Sequence, residues 1–224
     1  MFLIIINIKI FRKMGSFMTI SSWKDLENLV KKYGLPTPKT RFVKSVSGAK
    51  KAAKGIGYPL VLKIFSKKGL HKTRVGGVIC DIKDERELVK AYKKISNNIK
   101  KANIKAHGFL VQEQIFGLEV LVGMKQSTFG PAIAFGLGGV FVEVLKDFSL
   151  RIVPVNKKNA NDMIKEIKGY EIIRSKRCNI NSIINIITKI SKLSIENKDI
   201  EEIDFNPVIV NKKEAKIVDI RIIE

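Results

Sequence analysis

Cysteine and histidine are scarce, with two of each in 224 residues. Cys80 and Cys178 stand far apart and form no CxxC pair. That argues against a structural zinc site and fits a reducing cytoplasm. No aromatic side chains interleave with the basic ones, so no stacking platform for nucleic-acid bases is marked. Internal repeats, low-complexity linkers and long Pro/Gly hinges are missing too, which leaves no seam between independent domains. The apolar run Phe2–Phe11 is too short, and too interrupted by Lys9, to span a bilayer. It also lacks the basic flank and small-residue cleavage site of a secretory signal. Residues 1–18 are therefore expected to lie outside the working domain, as an over-extended start or an extra strand.

Acidic residues are few in the front half. Residues 1–105 hold 25 Lys/Arg against 6 Asp/Glu, whereas residues 106–224 hold 17 against 15. A net +21 so placed fits either a lysine-rich solvated surface or a polyanion-binding one. With 45% hydrophobic and 28% charged residues, the composition is that of a soluble globular protein large enough for two lobes sharing a cleft.

Helix and strand signals alternate. A helical pattern over Trp23–Lys32 ends at Gly34, with Pro36 and Pro38 beyond it. A short strand near Phe42 leads to Ser47 as the N-cap of an alanine-lysine helix that stops at Gly55 and Gly57. Leu60–Phe65 reads as a strand and Val78–Ile82 as its antiparallel return. Asp84 with Glu87 predicts a capping box opening a helix through Ile99. Strands are expected at 109–114, 119–125 and 131–135, helices near 161–168 and 183–192, and a terminal hairpin of 203–210 with 215–223. The fold class is α+β, with a small basic lobe over about 39–111 and a larger acidic lobe over 112–224.

Three constellations carry chemistry. Lys63 sits inside an apolar strand, and the run His71–Gly77 (HKTRVGG) adds lysine, arginine, a hydroxyl and two glycines. Buried lysine needs an anion, and glycines let backbone N–H groups close on phosphate oxygens. His71 itself is either a phosphate-contacting or exposed loop histidine, or a nucleophile that accepts phosphoryl. In the terminal hairpin, a register that sets Val210 opposite Ala215 also sets Asn206 opposite Asp219, with Asp204 on the same face. Two such oxygen donors suit Mg²⁺; the alternative is a polar, solvated sheet face. Glu113 and Glu119, at strand ends, could accept hydrogen bonds from an adenine amino group or a ribose hydroxyl.

Eight motifs, in order, bear a resemblance: YGLPTP, IGYPLVLKI, LHKTRVGGV, VQEQIFGLEVLVGMK, FGPAIAFGLGGVFVEVLKD, RIVPV, EEIDFNPVIV and IVDIRI. From about Tyr33 to Glu224 the chain resembles the ATP-grasp (β) subunit of the ADP-forming acetyl-CoA synthetases, also called NDP-forming acyl-CoA synthetases. Succinyl-CoA synthetase β chains are more distant relatives. The resemblance implies one ATP-grasp domain over 19–224, two α+β lobes clasping Mg-ATP. It implies Lys63 at the α- and β-phosphates, with Lys72, Thr73, Gly76 and Gly77 in a loop covering them. Glu113 and Glu119 would contact the nucleoside, and Asn206 and Asp219 would hold Mg²⁺. Asp204 would steady an incoming phosphohistidine loop, His71 would be a second phosphoryl carrier, and Arg151 of RIVPV would be catalytic.

An acid–thiol ligase is implied, acyl-CoA + ADP + phosphate ⇌ carboxylic acid + ATP + CoA, catalytic only with a CoA-binding α subunit. No nucleic-acid or membrane partner is expected. Another ATP-grasp carboxylate ligase and a non-catalytic polyanion binder are the alternatives. Two departures stand out: Arg74 where the family has an acid, and Ile172–Asn179 (IIRSKRCN), which lacks the family's glycines around Arg177.

Overall fold

Helix α1 (Trp23–Lys32) starts where the Ser22 hydroxyl accepts the Asp25 N–H at 3.2 Å. The computed structural model describes residues 22–66, 72, 75–138 and 147–223, so the expected extension of residues 1–18 lies outside the described residues. Beyond α1, the chain builds two antiparallel sheets in succession.

The first sheet comprises β1 (Thr40–Val43), β2 (Leu60–Phe65), β3 (Val78–Ile82) and β4 (Gly108–Glu113), ordered β1-β4-β2-β3. Helices α2 (Val46–Ile56) and α3 (Glu85–Lys101) cover one face. Strand β2 follows the period-two rule. Leu60, Leu62 and Ile64 are buried among Ala49, Ala53, Leu88 and Ile95 of the two helices, which turns Lys63 to the other face. The cap of α2 is Ser45, whose hydroxyl accepts the Gly48 N–H at 3.1 Å. The expected Ser47 instead lies inside the first turn and bonds the Ser45 hydroxyl at 3.1 Å. Asp84 caps α3 through the Glu87 N–H at 2.8 Å, but the Glu87 carboxylate reaches back to the Lys83 N–H at 2.7 Å instead of the Asp84 N–H.

The second sheet runs β10-β8-β5-β6-β7, with β9 also paired to β8. Its strands are β5 (Leu118–Lys125), β6 (Ala132–Leu137), β7 (Phe148–Ile152), β8 (Glu202–Val210), β9 (Ala215–Ile217) and β10 (Ile220–Ile223). Helices α4 (Lys157–Glu166), α5 (Tyr170–Ser175) and α6 (Ile180–Glu196) pack on it. Along α6, Ile183, Ile186, Ile187, Ile190 and Leu193 are buried at three- and four-residue spacing. They meet Val120, Val122, Met124, Phe135 and Phe205 of the sheet. Helix α1 packs Leu26, Leu29 and Val30 against this second core, and just past it Tyr33 and Leu35 are buried there, the Tyr33 hydroxyl donating to Glu196 at 2.8 Å. At its start Trp23 meets Phe65 of the first sheet edge-on.

Two departures from expectation are local. The returning strand of the hairpin is split, because residues 218 and 219 leave the ladder between β9 and β10. Arg177 takes φ +52 just past α5, so the turn that lacks glycine is made by the arginine in a left-handed conformation. Among the described residues no helix is long and apolar enough to cross a membrane.

The sheets approach closely at the crossing from β4 to β5. A Cβ on Gly117 would lie 2.3 Å from the Val210 carbonyl oxygen, so only glycine passes. Asn211 fastens the same crossing by donating to the Phe116 carbonyl at 3.1 Å.

Candidate nucleotide site between the two sheets

Lys63 is the centre of the cleft. It retains 5% of its surface, and its ammonium donates to Gln112 Oε1 at 3.0 Å on its own sheet and to the Val218 carbonyl on the other. Gln112 is held in turn by donating to Thr40 Oγ1 at 2.9 Å. Burial pulls the Lys63 pKa down from 10.5 to about 8, against the attraction of Asp219; the nearby Lys72 ammonium adds to the lowering.

Asp219 lies in the break between β9 and β10. Lys72 forms an ion pair and hydrogen bond with its Oδ1, and Lys63 is 3.9 Å from the same oxygen. Burial alone would raise this carboxyl, but the Lys72 and Lys63 charges and the Ile220 N–H bring it below the usual range. The hairpin register is the same on both sides of the break: Val208 opposes Ile217, and Phe205 opposes Ile220. Position therefore opposes Asn206 to Asp219, the pairing read from sequence. Both supply oxygen donors only, a set that fits Mg²⁺ when phosphate and water oxygens complete the shell. Among the described residues no three His, Cys, Asp or Glu side chains converge on a metal position. A cation there depends on those external oxygens.

Asp204 is two residues along β8 on the same face. Burial, then Glu202 and Asp219, raise its pKa to about 7, with Arg221 acting the other way. Glu202 is itself paired with Lys125 at 3.6 Å.

The glycines of the 71–77 run serve geometry. Gly76 takes φ +59, and Asn98 donates to its carbonyl at 3.0 Å. At Gly77 a Cβ would lie 2.8 Å from Ile64 Cδ1. The Gly77 N–H bonds the Lys72 carbonyl at 2.7 Å, which turns the chain so that Lys72 reaches Asp219. His71, Thr73 and Arg74 lie outside the described residues.

Glu113 and Glu119 flank the crossing between sheets. Glu113 Oε2 accepts the Lys39 N–H at 3.1 Å and is 3.8 Å from Lys216 of β9, so this acid already ties the sheets together. Glu119 is exposed on β5 opposite Ile209. Cys80 is exposed on β3 within the electrostatic reach of Lys63 and Glu119; burial of part of its surface pushes the thiol up.

Arg151 is not brought to this group. It opposes Ile133, a core residue, so alternation turns it to the helix side of the sheet, where it is bidentate on Glu166 of α4. The structure thus gathers Lys63, Lys72, Asp204, Asn206 and Asp219, sets Glu113 and Glu119 at one end, and leaves Arg151 behind the sheet. Sequence reasoning missed Gln112 and Arg221 as site residues, although the glutamine next to last in the FLVQE run and the arginine two places after Asp219 were visible signals.

Residues 19–223 match the ATP-grasp domain family. The chain belongs to that family. Within it, the chain is 39% identical over 207 residues to the β subunit of acetate–CoA ligase (ADP-forming) I of Pyrococcus furiosus, covering 89% of each. Acetate–CoA ligases (ADP-forming) I and II of Archaeoglobus fulgidus are longer, and this ATP-grasp chain spans 29% of the length of each. A structure of Ca. Korarchaeum cryptofilum dinucleotide-forming acetyl-coenzyme A synthetase 1 with coenzyme A, Ca-AMPCP and HgCl⁺ superposes with TM-score 0.85. It shares 36% identity and covers 96% of each chain. The same synthetase with coenzyme A and Mg-AMPPCP, its phosphohistidine segment pointing towards the nucleotide binding site, gives 0.76 at 36% identity, covering 89% of this ATP-grasp chain and 90% of that one.

Proposed function

We propose that this chain is the nucleotide-handling β subunit of an ADP-forming acid–thiol ligase, which passes phosphoryl between a phosphohistidine and ADP/ATP. With a CoA-binding α subunit the reaction is acyl-CoA + ADP + phosphate ⇌ carboxylic acid + ATP + CoA. The observation that carries this reading is Lys63, buried on one sheet and facing Asp219 and Asn206 of the other across the cleft. That juxtaposition offers two ammonium groups to phosphate and two oxygens to a cation.

In this reading Lys63 and Lys72 take the phosphates, Gly76 and Gly77 shape the turn beside Lys72, and Thr73 is a further nucleotide-binding residue. Glu113 and Glu119 stand at the end where the nucleoside enters. Asn206 and Asp219 would hold Mg²⁺, which when bound would offset the charge of the phosphates. Asp204 faces the acceptor imidazole, and His71 is a second carrier. The relatives' designation as β subunits supports a partner, and the greater length of the ligases whose names carry no subunit designation fits one that supplies CoA binding. The free Cys80 and Cys178 are compatible with a cytoplasmic setting.

The test is co-purification with the natural partner, followed by a panel of acids and their acyl-CoA esters in the ATP-forming direction. ATP formation by the complex, absent for the isolated chain that nonetheless binds Mg-ATP, is expected. Robust acyl-CoA synthesis by the isolated chain would overturn the two-subunit reading.

A further inference from the structure

Arg221 has a polar atom without a use. Its Nε is buried and has no hydrogen-bond partner among the described residues. It stands opposite Asp204 in the β8–β10 register, yet the two make no ion pair. A buried donor left unmatched costs stability and calls for an explanation.

The ladders act as a ruler along the cleft face of the second sheet. At the crossing end, Glu119 opposes Ile209. Next comes the position of Asn206 and Asp219, and two residues further along each strand, about 7 Å, lies the row of Asp204 and Arg221. That row continues through Gly123 and Ala134, which add little bulk. A nucleotide with its base at the crossing and its phosphates at Lys63 and Asp219 directs its terminal phosphoryl towards this row.

We infer that Arg221 contacts the phosphoryl group as it passes between nucleotide and acceptor imidazole. This rests on the nucleotide-handling reading above. In the transfer, the lone pair of a neutral imidazole nitrogen forms the N–P bond. The bond to the bridging oxygen breaks, and its electron pair stays on the nucleoside diphosphate. The other ring nitrogen keeps its proton, and the positive charge gained by the ring faces Asp204. The guanidinium meets the equatorial oxygens, where negative charge is greatest midway, and its donors are engaged only then.

The complex with the co-expressed partner is given ATP labelled in its terminal phosphoryl, in excess of enzyme sites, and acid-labile, base-stable protein label is followed over the first turnover. Arg221→Gln should slow labelling about a hundredfold or more while the Kd for ADP, by calorimetry, moves less than about threefold. Arg221→Lys, which keeps charge and stem, should lose roughly tenfold because the planar fork is gone. Unchanged labelling in both variants refutes the inference, as does a nucleotide Kd that rises in step with the loss of rate. If Arg221→Gln fails to fold, the lysine variant decides by the same criteria. A wild-type complex that takes no label sinks the nucleotide-handling reading itself, a result distinct from a labelled wild type with unaffected variants.

Discussion

Nucleotide binding should take up a proton at Lys63. Burial holds this ammonium to a pKa of about 8, whereas phosphate oxygens beside it favour the charged form and return it towards 10.5. The gap corresponds to about 3 kcal/mol of coupling at most. At about pH 8 half of the Lys63 side chains are neutral, so binding takes up about half a proton; at about pH 9 it takes up about nine-tenths. Affinity should weaken about tenfold between about pH 7 and about pH 9. The sign for folding is opposite to that for a lysine gaining a partner. Between about 8 and 10.5 the unfolded chain binds more protons than the folded one, so this group's contribution to stability rises with pH in that window. Calorimetry of ADP binding in two buffers of different ionisation enthalpy reads proton uptake directly. Lys63→Met should abolish the uptake, and Lys63→Arg, always charged, should bind with no pH dependence over this range. Uptake near zero at about pH 8 to 9 in the wild type, or equal uptake in Lys63→Met, refutes the reasoning.

Asn206→Ala and Asp219→Ala should each raise the Mg²⁺ requirement, with the double variant less than additive because both act on one ion; additive losses in an Mg²⁺ titration would separate them. Arg151→Ala should lower thermal stability by less than about 1 kcal/mol, the scale of a partly exposed pair, and leave Kd for nucleotide unchanged in calorimetry. Gly117→Ala should cost about 1–3 kcal/mol in denaturant unfolding, since its Cβ cannot pass the Val210 carbonyl without shifting backbone.

Local pattern was legible wherever one residue's place determines the next. The alternation in LVLKIF put Lys63 opposite the buried face, and the turn after Val210 carried its register to Asn206 and Asp219, with Asp204 on the same face. What stayed hidden depends on distant packing. Nothing local says that Lys72 reaches Asp219, 147 positions on, or that α1 joins the second core. Arg151 shows how a motif differs from a position. RIVPV marks the segment, but the face of β7 is decided by its pairing with β6, and that pairing turns the side chain to Glu166. At α2, two serines two residues apart compete for one cap, and the choice falls to the one whose hydroxyl meets the Gly48 N–H.

The Lys72–Asp219 contact makes ligand entry an exchange of anions. A phosphate that engages Lys72 and Lys63 must evict a carboxylate already seated between them, so the measured affinity is the difference between two sets of charge contacts. The evicted carboxylate then loses both of its cations at once and is free to face another. Arrival of phosphate and readiness of Asp219 for a divalent ion are one event, which ties the two occupants of the cleft together without any moving part beyond a side chain.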